Sequence, residues 1–344
     1  MNILLKGYLD RNFGDDLMIR LTTEQFLEHN FYIDTPKREL LLPFAALPNL
    51  FLAADYPEET MDAVLLVTGS GFILRNRLGT AMRAATLMRQ PHKKLPTFAI
   101  GCNVGPCAGK TAQVVVDTEL KRYQMITVRD SASYRYIKAY WPKKQVMCYP
   151  DILFSLPDDA IPEKTGEDCL GITAYRQLDK DNLHYYNTMA RVADDYIAAT
   201  GKKVILFAMD VEGENDLSAA YTILSLIEQR EMVEICAHLG NGDNIIRNFA
   251  RCKTVISARF HGCVLAMRMG IPLIPVIYSA KTTNLLSDIG FNGRYFHIDQ
   301  VDAQILSPMA IGELPVFLVG ARIFEMAKGH FNALREALES IQGK

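Results

Sequence analysis

From end to end the chain alternates short runs of apolar or β-branched residues with longer segments carrying the 3.6-residue period of a helix. In the first half the runs read as strands at Asn2–Gly7, Phe31–Asp34, Ala63–Thr68, Thr97–Ile100, Met125–Val128 and Val146–Tyr149. They are apolar on both faces rather than at every second residue. That is the pattern of parallel strands covered by helices on two sides. Between them lie helical patterns at Asp16–His29, Thr80–Arg89, Thr111–Tyr123 and Ser131–Tyr140. This grammar restricts the chain to α/β folds of the doubly wound kind.

The alternation pauses at Leu156–Asp168, a stretch rich in Pro, Asp, Glu and Gly with little to bury. It then restarts, with strands expected at Cys169–Thr173, Lys203–Phe207, Val233–Ile235, Thr254–Ser257, Leu273–Tyr278 and Arg294–His297. Helices are expected at Asn182–Thr200, Leu217–Gln229, Asp243–Cys252 and Gly262–Met269, and a closing amphipathic helix at Ala321–Ile341. With 344 residues there is material for two cores. We therefore expect two doubly wound, Rossmann-like domains at 1–160 and 161–320, facing a cleft, and a closing helix at 321–344. Strand C-terminal ends should meet at that cleft, where open α/β sheets bind ligands.

The net charge of −2 argues against broad nucleic-acid binding, which needs a basic excess. Seven cysteines, at 102, 107, 148, 169, 236, 252 and 263, show no CxxC pair and read as reduced residues of a cytoplasmic protein. The start, MNILLKGY, is a strand pattern rather than a signal peptide, and no apolar run is long enough to span a bilayer. Any membrane contact is expected to be peripheral. No metal-ligand cluster is visible, so no metal is expected.

The residues at the strand ends carry the chemistry. After the first strand come Asn12, Gly14, Asp15 and Asp16; a tight βα turn with an Asp cap near Asp16 explains part of this set, and a binding loop explains the rest. Thr68-Gly69-Ser70-Gly71 is a turn whose backbone can approach an anion or a sugar, but it lacks the dinucleotide pattern. Gly101 to Thr111, including Asn103 and Gly105-Pro106, fails the spacing of a P-loop. Arg129 ends the fifth strand, with Asp130 or Asp151 as candidate partners and Ser131 as candidate cap of the next helix.

In the second half Tyr175-Arg176 follow one strand, and Asp210 and Glu212 follow another. The densest signal is Ser257-Ala258-Arg259-Phe260-His261-Gly262. There a strand ends, and a helix expected to begin at Gly262 offers free N–H groups to an anion. Arg259 can hold a carboxylate or phosphate with two parallel bonds, and His261 can carry a proton near neutral pH. Lys281, after the next strand, adds a third positive group.

Taken in order, Asn12-Phe13-Gly14-Asp15, the turn at 69–71, Gly105-Pro106, Arg129-Asp130-Ser131, Pro150-Asp151, Arg259-Phe260-His261-Gly262 and Lys281 resemble the polysaccharide pyruvyl transferases. The resemblance spans about residues 8 to 290 and rests on order and spacing. Ser70 departs from it, since the family more usually runs three glycines there. The resemblance implies a fold of the GT-B type. It implies transfer of a pyruvyl group from phosphoenolpyruvate, a co-substrate and not a bound cofactor, to two hydroxyls of one sugar, with a cyclic ketal and phosphate as products. By motif match it implies Arg129, Arg259 and His261 for the donor. From their positions at a helix start and a strand end, Gly262 and Lys281 are expected beside the donor too, and His261, Arg259 and Asp16 are expected to be catalytic, with Asp15 or Asp16 positioning or deprotonating the acceptor hydroxyl. Asn12, Asp15, Asp16, Gly69, Ser70, Gly71 and Asn103 are expected on the acceptor side. The acceptor is expected to be a glycan of the bacterial surface, such as an exopolysaccharide or capsule, or a lipid-linked oligosaccharide at the cytoplasmic face of the inner membrane. A nucleotide-sugar glycosyltransferase and a non-catalytic carbohydrate-binding protein are the competing readings.

Overall fold

In the computed structural model the apolar runs of the first half pair as parallel strands: β1 (Asn2–Gly7), β2 (Asn30–Ile33), β3 (Leu50–Leu52), β4 (Ala63–Val67), β5 (Thr97–Cys102), β6 (Met125–Val128) and β7 (Val146–Cys148). The structure describes residues 1–343 apart from 36, 75–76, 90–94, 106 and 179, so Pro106 of the Gly105-Pro106 turn lies outside the described residues. Among the described residues the first sheet has the order β3-β2-β1-β4-β5-β6-β7. It is flanked by α1 (Phe13–Glu24), α2 (Arg77–Arg89), α3 (Gly109–Leu120) and α4 (Ser131–Tyr140). Leu66, Phe72, Ala99, Val116, Ile126 and Ile137 pack into one of its cores, which is why these strands read as apolar on both faces.

The second sheet repeats the design with β8 (Cys169–Thr173), β9 (Val204–Ala208), β10 (Val233–Ala237), β11 (Cys252–Ser257), β12 (Leu273–Ile277) and β13 (Phe296–His297). Its order is β10-β9-β8-β11-β12-β13, again all parallel. The helices are α5 (Leu183–Thr200), α6 (Asp216–Leu226), α7 (Gly242–Phe249), α8 (Phe260–Arg268), α9 (Ala280–Asp288) and α10 (Ala303–Ile311). Leu170, Ile172, Met189, Tyr196, Leu206, Ile256 and Ile274 form the core. Each sheet reverses its strand order once, between β1 and β4 in the first and between β8 and β11 in the second. Such switch points are where open α/β sheets take ligands.

Two helices close the chain, α11 (Ala321–Ala327) and α12 (Gly329–Gln342), where the sequence suggests one. The polypeptide divides into two units less simply than a single linker predicts. The first comprises Met1–Tyr8, Met18–Ser155 and Phe324–Lys344; the second comprises Leu9–Leu17 and Leu156–Ile323. Leu9–Leu17 thus leaves the first unit straight after β1 and packs within the second. Phe324–Lys344 returns to the first, where His330 is sealed between Thr127 Oγ1 (2.6 Å) and Pro150 O (2.9 Å).

At three helices the first residue or the cap differs from the sequence reading, each for a local reason. Helix α1 begins at Phe13 because Asn12 Oδ1 accepts from the N–H groups of Gly14 (3.1 Å) and Asp15 (3.4 Å), so Asn12 and not an Asp is the cap. Helix α4 is capped by Asp130, whose carboxylate accepts from Ser133 N at 2.6 Å, and Ser131 is its first residue. Helix α8 begins at Phe260 with Arg259 as the flanking residue, which puts His261 inside the first turn. Strand β3 was missed because three residues carry no period. Helix α10 was missed because Pro308 lies within it.

Candidate functional site

The second unit builds its polar corner where β8 and β11 part. Thr173 Oγ1 accepts from the N–H groups of Ala258 (2.8 Å) and Arg259 (3.2 Å), which turns the chain from β11 into α8. Ser257 Oγ donates to Arg259 O at 2.9 Å. Gly262 is required by this turn. A Cβ there would lie 2.4 Å from Ser257 Oγ and 2.9 Å from Thr173 Cγ2. Helix α8 is therefore pressed directly onto the strand ends, and its residues Gly262 to Arg268 are all buried.

Arg259, 7% exposed, lies at the centre of this corner. Its Nε donates to Asp216 Oδ2 at 2.7 Å, its Nη2 donates to Asp216 Oδ1, and its Nη1 donates to Glu214 Oε2. The guanidinium lies over the Tyr175 ring at 4.6 Å, and Tyr175 stacks on Tyr278 with ring centroids 4.1 Å apart. Burial pushes the Asp216 carboxyl up to about 6, against the pull of Arg259. The carboxylates in turn raise the Arg259 pKa well above its ordinary value despite burial, so it stays charged.

Residues 9–17 complete the corner from the far end of the sequence. Phe13 N donates to Met209 O at 2.8 Å, and Asn12 Nδ2 donates to Asp210 Oδ2 at 3.1 Å. Arg11, in the left-handed region at φ 48°, approaches Glu212 at 3.2 Å. Asp16 meets His238 Nε2 at 2.7 Å, with both side chains buried, and Phe13 packs edge-on against the His238 ring. Burial raises the Asp16 pKa, while the bond to His238 opposes that. These anchors set Gly14 directly against His261: a Cβ on Gly14 would lie 1.6 Å from His261 Nδ1. Glycine is needed there because the imidazole occupies the space of any side chain. Asp15, also in this first turn, is 8% exposed.

The other expected site residues fall in the first unit, around Arg129. Arg129 Nε donates to Asn103 Oδ1 (2.7 Å), Nη1 to Asp151 Oδ2 (2.7 Å) and Nη2 to Gly69 O (3.1 Å). Of the two candidate partners, Asp151 forms the ion pair, and Asp130 instead accepts from Asn103 Nδ2. A Cβ on Gly69 would come within 2.7 Å of the Arg129 guanidinium, so this glycine makes room for the arginine. Ser70 is exposed and Gly71 half-buried beside it. Lys281 stands in the first turn of α9, half-buried, between Ser279 and Thr282, whose hydroxyl oxygens are buried without a hydrogen-bond partner.

Three residues of the corner escaped the sequence reading. The sequence singles out Asp210 and Glu212 after β9, but the acids that hold Arg259 are Glu214 and Asp216, two and four residues beyond Glu212. Asp216 opens α6, so it reads as an ordinary acidic residue at a helix start. His238 directly follows β10, and a lone His beside an apolar run reads as core. Among the described residues no group of three or more His, Cys, Asp or Glu is arranged to hold a metal ion. Among the same residues no helix is long and apolar enough to cross a membrane.

This architecture has relatives of known structure. UDP-GlcNAc 2-epimerase from Neisseria meningitidis, solved bound to UDP-GlcNAc, superposes with a TM-score of 0.60 at 10% identity, covering 98% of this chain and 100% of that one. The UDP-GlcNAc 2-epimerase of Methanocaldococcus jannaschii gives 0.60 at 9% identity over 98% and 99% of the two chains. A glycosyltransferase from Rickettsia africae gives 0.52 at 11% identity over 99% and 97%. At such identities the likeness is one of fold, the two-sheet GT-B kind. No curated protein matches the chain in sequence. The family model for polysaccharide pyruvyl transferase matches residues 5–280, a span that holds the Asn12 turn, Arg129, the Arg259–His261 corner and the acids facing it. The chain belongs to the polysaccharide pyruvyl transferase family.

Proposed function

We propose that the protein transfers the pyruvyl group of phosphoenolpyruvate to two hydroxyls of one sugar residue in a glycan or lipid-linked oligosaccharide, forming a cyclic ketal and releasing phosphate. The observation that carries this reading is the placement of Arg259 directly before α8 and of His261 in its first turn, at the switch point of the second sheet, in a chain of this family. Phosphoenolpyruvate is small and densely anionic, and it suits a cation beside helix N-termini better than a long groove. Lys281 and the buried hydroxyls of Ser279 and Thr282 give α9 a second start of the same character.

In this reading His261 is the acid. Its proton goes to the methylene carbon of the donor, C2 becomes cation-like, and the first sugar hydroxyl adds there and gives up its proton. The C2–O bond to phosphate then breaks, and the second hydroxyl closes the ketal as its proton is lost. Arg259 holds the anion through these steps. Asp16 acts through His238, by fixing residues 9–17 so that Gly14 backs the imidazole. Asp15, Asn12, Gly69, Ser70, Gly71 and Asn103 remain acceptor-side assignments, and Arg129 and Gly262 donor-side assignments, of this proposal. The acceptor sugar, and a site of action at the cytoplasmic membrane face, are proposals of the same standing.

The test is incubation with phosphoenolpyruvate and a panel of reducing-end-labelled sugars, following phosphate release and the mass of each sugar. Release coupled to a ketal mass gain, lost in a folded His261→Ala variant, is the expected result. Thermal stabilisation by nucleotide sugars alone, with no response to phosphoenolpyruvate, would favour a glycosyltransferase instead.

A further inference from the structure

Arg259 is gripped by two carboxylates of unlike character. Asp216 is fully buried and is fixed by more than the arginine, since its Oδ2 also accepts from Met209 N (3.2 Å) and Asp210 N (3.0 Å). It takes the Nε and Nη2 edge of the guanidinium. Glu214 takes Nη1, and its side chain is 30% exposed. Among the described residues that bond is the one polar contact of its carboxylate. Glu214 lies in the loop between β9 and α6, directly before Asn215, which caps α6 from a left-handed conformation at φ 56°. The backbone of this loop is held by Asp210 Oδ1, which accepts from Gly213 N (2.9 Å) and Glu214 N (3.1 Å). Only the Glu214 side chain is therefore tied down by Arg259 alone.

The geometry leaves an incoming anion one route. The Tyr175 ring covers one face of the guanidinium, and Asp216 fills one edge with a carboxylate that cannot leave without stripping two backbone N–H groups. An anion added while Glu214 stays would set like charges side by side on a single cation. We propose that Glu214 is an internal stand-in for the donor's anionic group, seated on Arg259 Nη1 in the empty protein and exchanged for a carboxylate or phosphate oxygen when the donor binds. The exchange keeps the number of charges on Arg259 constant. It also sets a threshold, because a ligand must outcompete a carboxylate tethered to the same fold. This inference rests on the reading of Arg259 as a ligand of the donor.

The experiment measures dissociation constants for phosphoenolpyruvate and for inorganic phosphate, by calorimetry, in the full-length protein and in Glu214→Gln and Glu214→Ala. Circular dichroism confirms that each variant folds. About tenfold tighter binding of both anions by both variants is expected. Tightening of phosphoenolpyruvate alone also supports the exchange and identifies the carboxylate as the exchanging group. If the parent protein binds phosphoenolpyruvate and the variants bind it no better, the exchange is overturned while the donor reading stands. If the variants bind phosphate more tightly but neither they nor the parent binds phosphoenolpyruvate, Glu214 competes with anions at Arg259, the donor reading fails, and the exchange as a donor device is overturned with it. If neither anion binds any of the three proteins, both are overturned.

Discussion

Arg129 and Arg259 are both buried arginines placed at the end of a parallel strand, one residue after β6 and two after β11. Their surroundings differ in what can be given up. Asp151, the ion-pair partner of Arg129, is fully buried, and Asn103 and Gly69 O complete the clamp. Asp151 also accepts from Leu153 N at 3.0 Å, so it braces the turn after β7 as well. At Arg259 the inner carboxylate is sealed in the same way, but the outer one, Glu214, reaches solvent. A buried arginine of the first kind is fixed in its clamp, so in the donor-side role proposed for it Arg129 acts through its charge rather than by trading ligands. One of the second kind can hold loops on one edge and trade ligands on the other.

The largest effect that would break this comparison is expected at Asp151. Asp151→Asn leaves Arg129 buried without its counter-charge and should cost about 3–5 kcal/mol of stability, read by urea unfolding. Glu214→Gln, by contrast, should change stability little, because its partner keeps Asp216. Equal losses in the two variants would mean that the two arginines are alike.

A pH scan sharpens the same contrast. Burial pushes His330, bonded to Pro150 O and Thr127 Oγ1, down to about 4 from an ordinary value of 6.5. Pro150 O can only accept, so Nε2 carries the proton and Nδ1 accepts from the threonine. The folded state binds the neutral ring, whereas the unfolded chain takes up a proton below pH 6.5. Stability is thus fully present above that pH and falls as pH drops toward 4, by roughly 3 kcal/mol in all. His330→Gln should flatten this slope in acid denaturation. An unchanged slope would place the acid sensitivity elsewhere.

Gly14→Ala probes the second arginine's neighbour. The added methyl must push His261 aside, so the protein should fold yet lose on the order of a hundredfold in turnover, with a smaller change in donor affinity. Steady-state kinetics separate the two parameters. Full activity in Gly14→Ala would show that the position of His261 against residues 9–17 is of no consequence. The smallest expected effect is the tenfold gain in anion affinity on removal of the Glu214 charge.

Much of this fold was legible in the sequence because burial on both faces leaves a plain signature. Runs such as Cys169–Thr173 and Met125–Val128 carry no charge and are apolar or β-branched save for Gly171, and their observed ends match the expected ones. Helix starts were less legible, since the cap depends on which of several adjacent polar side chains turns back on the backbone. Asn12 won over Asp15, and Asp130 over Ser131. Long-range partners were not legible at all. Nothing in Leu9–Leu17 announces that it packs with residues some two hundred positions away, as Asp16 does with His238. The same holds for Glu214 and Asp216, whose meaning depends on the arginine they face.

The account turns on the Arg259–His261 corner as the place where phosphoenolpyruvate reacts. The most direct measurement is phosphate release from phosphoenolpyruvate in the presence of a sugar panel, for the parent protein and for a folded His261→Ala variant. We predict acceptor-dependent release by the parent, with ketal formed in equal amount, and its loss in the variant. Release that persists undiminished in His261→Ala would contradict the assignment.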